Sequence, residues 1–201
     1  TPTRRQVADA AVAGGLAEVY LKLDRPADAA RLYEQVIAVR PDDWAALNNR
    51  AYLIKDTDPT AALPLAERAL QLRPADADVA DTLNGVLLAV ATKDPDQALA
   101  AARRYQGERP TDPLAAITVS RLLTQTGQGA EALRVLSSAY AVAPAHPGLA
   151  LRYAQALAAD GDTDRARILL RGLADKTFPE RAEARDLLER LKDPAPRPTS
   201  H

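Results

Sequence analysis

The chain has 201 residues, with 26 basic side chains against 27 acidic ones, a net charge of −1, no cysteine, no methionine and two histidines. That composition excludes thiol chemistry, a disulfide framework and a Cys/His zinc site. The balanced charge leaves no footprint for a nucleic-acid backbone. About a fifth of the residues are alanine and only 4% are aromatic, which suits helices packed through small contacts.

At the N-terminal end, Val7 to Leu16 reads as a helix that is largely small and apolar, with Val7, Val12 and Leu16 left uncovered. An uncovered apolar face marks an interface. The pattern therefore predicts that repeats continue upstream of Thr1 and that this helix self-associates when uncapped. No apolar run approaches the ~20 residues a membrane-spanning helix needs, so no transmembrane segment is expected.

Further along, three series of residues recur with one period. Proline closes a helical segment at Pro41, Pro74, Pro110 and Pro144, at intervals of 33, 36 and 34 residues. Small residues run in phase at Ala29, Ala62, Ala98, Ala132 and Ala166. A third series, Ala17, Ala51, Asn84, Ser120 and Ala154, precedes the second. Paired small residues let two helices approach closely, while proline ends the second helix and fixes the turn after it. Asp58-Pro59, Asp94-Pro95 and Asp112-Pro113 each supply an N-cap acceptor followed by proline in the first turn. Gly127 and Gly161 stand where a first helix ends, as left-handed C-terminal caps. Period-two alternation is not sustained, so no strand is expected.

These positions resemble the tetratricopeptide repeat (TPR). The resemblance covers nearly the whole chain and implies an all-α, right-handed superhelical solenoid. Five units fall at about 10–43, 44–76, 77–112, 113–146 and 147–179, with Arg50 where the family usually has leucine and Asn84 where it has glycine or alanine. Unit two lacks one residue in its inner turn, and unit three carries about two extra near Ala91-Thr92-Lys93. Residues 180–192 form an amphipathic helix with Leu187, Leu188 and Leu191 as its stripe, a polar cap for a terminal repeat. Residues 193–201 are proline-rich and are expected to be disordered.

Two phrases carry a narrower resemblance. Ala46-Leu47-Asn48-Asn49-Arg50-Ala51-Tyr52 with Val79-Ala80-Asp81-Thr82-Leu83, and Phe178-Pro179-Glu180-Arg181-Ala182-Glu183-Ala184, are similar to the last repeats of bacterial TPR lipoproteins of PEP-CTERM/exosortase exopolysaccharide systems. That resemblance implies a scaffold in the envelope, periplasmic or associated with the outer membrane. The Asn84-Gly85 pair departs from the Gly-Trp that this family usually places there.

The TPR resemblance implies a concave wall lined by the first helix of each unit. Projected onto it, Asn48, Asn49 and Tyr52 come from unit two, and Asp78, Asp81 and Thr82 from unit three. Ile117, Arg121 and Gln125 come from unit four, and Leu151, Arg152 and Gln155 from unit five. Asparagine can bond both a peptide N–H and a C=O, and arginine presents a planar fork to a carboxylate. The bland alternative is that these are ordinary solvated side chains. The lysine and asparagine of a chaperone-tail clamp are missing from unit one, which has Gly14 and Glu18 there. Trp44 and the remaining tyrosines sit at or beside packing positions, and His146 has no second histidine with which to share a metal. No phosphate loop or buried acid–base pair is present, so neither catalysis nor a cofactor is expected. The leading expectation is a non-catalytic scaffold for a protein or peptide partner. The alternatives are a polysaccharide-handling module and a regulatory fragment of a larger enzyme.

Overall fold

The computed structural model describes residues 2–192; the predicted proline-rich tail lies outside them. Eleven α-helices and no strand occur among the described residues. They are α1 (Arg4–Lys22), α2 (Pro26–Val39), α3 (Trp44–Ile54), α4 (Pro59–Leu72), α5 (Ala77–Ala91), α6 (Pro95–Glu108), α7 (Pro113–Gln125), α8 (Gly129–Val142), α9 (Pro147–Asp160), α10 (Thr163–Arg171) and α11 (Arg181–Lys192). Two compact units divide after Ala101, and α6 begins in the first and ends in the second.

Local chemistry sets the helix ends. Asp43, Asp58, Asp76, Asp112 and Asp162 accept first-turn amides with their side chains, and Asp94 Oδ1 accepts from the Gln97 amide at 2.9 Å. Each satisfies a donor that the helix itself leaves open. His146 performs the same service, its Nδ1 accepting from the Leu149 amide at 3.1 Å, so this lone histidine is a helix cap. The turns between paired helices are of two kinds. Gly127 and Gly161 adopt φ of +76° and +94°, as their positions predicted, and Asp24 takes the same left-handed region at +54°. The turns after α3 and α5 contain no left-handed residue. The extra residues of unit three are absorbed by α5, which runs unbroken to Ala91.

In the first unit, α1 packs on α2, α2 on α3, α3 on α4 and α4 on α5. Its core around the first helix pair is Ala13, Ala17, Ala29, Tyr33, Val36 and Ala46. The outer side of α1 carries Val7, Val12, Leu16 and Val19 in the open, with Val12 71% exposed. Arg50 is accommodated by an ion pair to Glu34 of α2 at 2.9 Å.

In the second unit, α7 packs on α8, α8 on α9, α9 on α10 and α10 on α11. Leu136, Leu149, Leu151, Leu157 and Leu170 lie in its core, and Ala184 of α11 is buried there too. Leu187, Leu188 and Leu191 rest on that cluster. The leucine stripe thus covers the last repeat and leaves charged residues such as Arg185, Asp186 and Glu189 exposed.

Both small-residue series are buried throughout. Ala17, Ala51 and Ala154 are fully buried, as are Ala29, Ala62, Ala98 and Ala166, with Ala132 1% exposed. The two polar members each return a hydrogen bond to their own helix: Asn84 Nδ2 donates to the Ala80 carbonyl at 2.8 Å, and Ser120 Oγ to the Ile117 carbonyl at 2.8 Å. Replacing Ala132 with leucine should overpack the α7–α8 contact and cost ~1–3 kcal/mol. Chemical denaturation should show a lowered midpoint with an unchanged slope; an unchanged midpoint would place Ala132 away from a close helix contact.

Candidate functional site

In the first unit, α3 carries Asn48, Asn49 and Tyr52. Asn49 is committed to packing, its Nδ2 donating to the Tyr33 hydroxyl of α2 at 3.1 Å. Burial raises the Tyr33 pKa and outweighs the opposing bond from Asn49, so that hydroxyl stays neutral and able to accept. Asn48 differs: its Oδ1 is buried and has no hydrogen-bond partner among the described residues. Tyr52 is 56% exposed, with the Lys55 ammonium 4.5 Å from its ring centroid, a cation–π contact. On α5, Asp78 and Asp81 are exposed. Thr82 is buried, and its hydroxyl donates to the Asp78 carbonyl at 3.0 Å, so it offers no surface to a partner.

The second unit holds a cavity of about 390 Å³ between α7, the start of α8 and α9. Arg121 and Gln125 enter it from α7, and Arg152 and Gln155 from α9. All four are residues that the repeat pattern singled out. Two others expected beside them belong to the core instead: Leu151 is fully buried and Ile117 is 9% exposed. Their positions turn inward between α7 and α9, where apolar side chains fill the helix contact.

The two arginines of the cavity are not equivalent. Arg152 Nη1 donates to Gln155 Oε1 at 2.8 Å and to Glu183 Oε1 of α11 at 3.2 Å, and Gln155 Nε2 donates to the same Glu183 oxygen at 2.7 Å. Arg121 makes no hydrogen bond or ion pair among the described residues. Burial, and after it the positive charge of Arg152, lowers the Arg121 pKa, while Glu183 and Glu180 pull in the opposite direction. Arginine remains charged under all ordinary conditions, and Arg121 is exposed, so the open cavity presents one cationic fork with no protein partner, its donors facing solvent; the Asp160 side of α9 lines the same space.

A second feature favours negative charge at the same place. Gly129 and Ala130, the first residues of α8, line the cavity, and the α8 N-cap residue Gln128 makes no side-chain cap bond. The amides of an uncapped first turn and the positive end of the helix dipole point toward an anion. The spacing of the repeats could locate Arg121 and Arg152 on α7 and α9. The same 31-residue spacing leads on from Arg152 to Glu183 of α11, but the expected fifth unit ends at residue 179, so Glu183 is not among the expected wall residues.

Other aromatic and titratable groups are used in packing. The Arg73 guanidinium lies 4.7 Å from the Trp44 ring centroid, and the Tyr105 hydroxyl donates to Asp112 Oδ2 at 2.7 Å. Burial first, and then Asp112, push the Tyr105 pKa far up. Among the described residues no group of three or more His, Cys, Asp or Glu side chains is placed to hold a metal ion, and no helix is long and apolar enough to cross a membrane.

The two asparagines of α3 should separate packing from recognition. Asn49→Ala removes the bond to Tyr33 and should cost about 1 kcal/mol of folding stability. Asn48→Ala removes an unpartnered buried oxygen and should leave the melting midpoint unchanged or slightly raised. Equal losses for both variants would show that Asn48 also belongs to the packing.

Comparison with known proteins agrees with this architecture. None of the curated proteins matches the chain in sequence. Among solved structures, residues 41 to the end of MamA from Desulfovibrio magneticus align with 92% of this chain and 98% of theirs, at 16% identity and a TM-score of 0.59. TTC0263, a thermophilic TPR protein of Thermus thermophilus, aligns over 91% of this chain and 98% of its own, at 18% identity and a TM-score of 0.59. YrrB, described as a TPR protein with an unusual peptide-binding site, aligns over 92% and 89%, at 18% identity and a TM-score of 0.54. Such identities establish a shared fold and nothing finer. Family models of the tetratricopeptide repeat match residues 15–77 and 123–191, together well over half of the chain. With helix pairs in contact through buried alanines and with those matches in both units, the chain belongs to the tetratricopeptide repeat family.

Proposed function

We propose that this chain is a non-catalytic scaffold that holds a protein segment against the first helices of its repeats, with the second-unit cavity taking a carboxylate of that segment. The TPR fold supports a protein-interaction role as such. The single observation that carries the finer reading is the uncommitted guanidinium of Arg121 beside the uncapped start of α8. A guanidinium fork and free first-turn amides match a planar anion with two acceptor oxygens. Gln125, on the same wall, can bond an adjoining peptide group. In the first unit the exposed ring of Tyr52 offers a separate surface for an apolar side chain.

A polysaccharide partner has less support. Sugar recognition favours aromatic platforms flanked by carboxylates, and Tyr52, already covered by Lys55, is the one aromatic that stands exposed on the α3 surface. An envelope setting linked to protein sorting or exopolysaccharide export rests on the sequence phrases around Asn48, Asp81 and Glu183.

Selection from a random peptide library displayed with free C-termini tests the reading. Bound sequences should be rich in Asp, Glu or terminal carboxylates. Arg121→Gln should weaken them about ten- to hundredfold, since a hydrogen bond to a charged group is worth about 1.5–3 kcal/mol. Arg121 is the clean position to vary, because Arg152 also ties α9 to α11. Helicity and melting should be unchanged. Selected sequences without acidic groups, or full binding by Arg121→Gln, would move the site off this cavity.

A further inference from the structure

Resting on the carboxylate reading above, we propose that Glu183 of α11 is a built-in occupant of the site: its carboxylate holds the Arg152 half of the cavity and competes with a partner's carboxylate. Three observations carry this. First, a single oxygen, Glu183 Oε1, accepts from both Arg152 Nη1 and Gln155 Nε2. These are donors that an incoming carboxylate would otherwise find on the α9 wall. Second, the Gln155 amide is used at both ends, its Oε1 accepting from Arg152 while its Nε2 donates to Glu183, so Gln155 and the Nη1 edge of Arg152 are engaged from within. Third, Arg121 on the facing wall makes no such bond and is left for a ligand.

The position of Glu183 suits exchange of one side chain rather than movement of a helix. Ala184, its neighbour, is 5% exposed and packs in the core with Leu173 and Leu170. Leu187, Leu188 and Leu191 hold the rest of α11 on the same cluster. The Glu183 side chain itself is 42% exposed and has solvent to turn into. A partner carboxylate arriving at Arg121 meets the negative charge of Glu183 and of Glu180 just before it. Binding therefore either tolerates that repulsion or drives Glu183 outward and takes Arg152 as well. In both cases the internal carboxylate raises the threshold for capture, so weakly acidic segments are rejected and strongly acidic ones retained. Like charges brought together across an interface are a common device for turning away wrong partners.

The test is a fluorescence-anisotropy titration of the full chain with a labelled octapeptide of alternating glycine and serine that ends in two glutamates and a free carboxylate. Two companion probes separate the sources of the anion: the same peptide amidated at its C-terminus, and the same peptide with glutamines for glutamates. Glu183→Gln should bind the acidic probe roughly three- to tenfold more tightly than the parent, the range expected when a half-exposed competing charge is removed. Glu183→Asp, too short to span the same gap, should move in the same direction and serves if the glutamine variant folds poorly. Asp186→Asn, the same change in net charge on the exposed part of α11, should give no such gain. Adding Arg121→Gln to Glu183→Gln should weaken binding about ten- to hundredfold relative to Glu183→Gln alone. Binding that depends on Arg121 but is equal in parent, Glu183→Gln and Glu183→Asp would retain the carboxylate site and overturn the built-in occupant. Binding that no Arg121 substitution alters, or no binding by any variant, would overturn both.

Discussion

The close approach of paired helices at Ala17, Ala29, Ala51, Ala62, Ala132, Ala154 and Ala166 is the constraint on which the rest depends, because a side chain larger than alanine there would push the helix axes apart. At that spacing the larger residues, Tyr33, Val36, Leu136 and Leu170, fill the space beside the contact and become buried in turn. Where a polar residue stands in place of alanine, it returns a hydrogen bond to its own helix. Asn84 and Ser120 both do so. The core is thus made of many small contacts between neighbours, the form in which repeat proteins distribute their stability.

That spacing also builds the site. Once α7 and α9 are held side by side, residues three or four positions apart on each helix rise from the same wall, and Arg121, Gln125, Arg152 and Gln155 come to face one space. The start of α8 is brought to the end of that space by the turn at Gly127, whose φ of +76° sends the chain back sharply. Two like-charged guanidiniums in one cavity would repel each other without compensation. The N-terminal end of α11 supplies it, with Glu183 bonded to Arg152 and Glu180 nearby. The helix that covers the last apolar repeat therefore also sets the charge of the site.

Several residues whose type invites a functional reading turn out to serve the fold. His146 caps a helix, Trp44 lies under an arginine, and Tyr105 bonds Asp112 next to the start of α7. Asn49 braces Tyr33 while its neighbour Asn48 does not share in that bond. Adjacent positions on a helix are separated by about 100° of rotation, so two identical side chains in sequence can take opposite duties.

By itself, the sequence determined the class of fold, several of the helix ends and the residues of the close contacts. Each of these rests on local chemistry or on periodicity: an aspartate before a proline, a glycine after a helix, an alanine every 33 to 36 positions. The resemblance to the repeat also placed Arg121, Gln125, Arg152 and Gln155 on first helices. The state of each side chain there was decided only by the tertiary structure. Leu151 and Ile117 lie inside because the neighbouring helix covers them, Thr82 because its own backbone satisfies it. Arg152 is paired and Arg121 is not because Glu183 lies 31 residues beyond Arg152 in the chain. The same 31 residues separate Arg121 from Arg152 and Arg152 from Glu183, so spacing puts the three in series. Which of them bond follows from how α11 packs on the core, a long-range contact that no local pattern encodes.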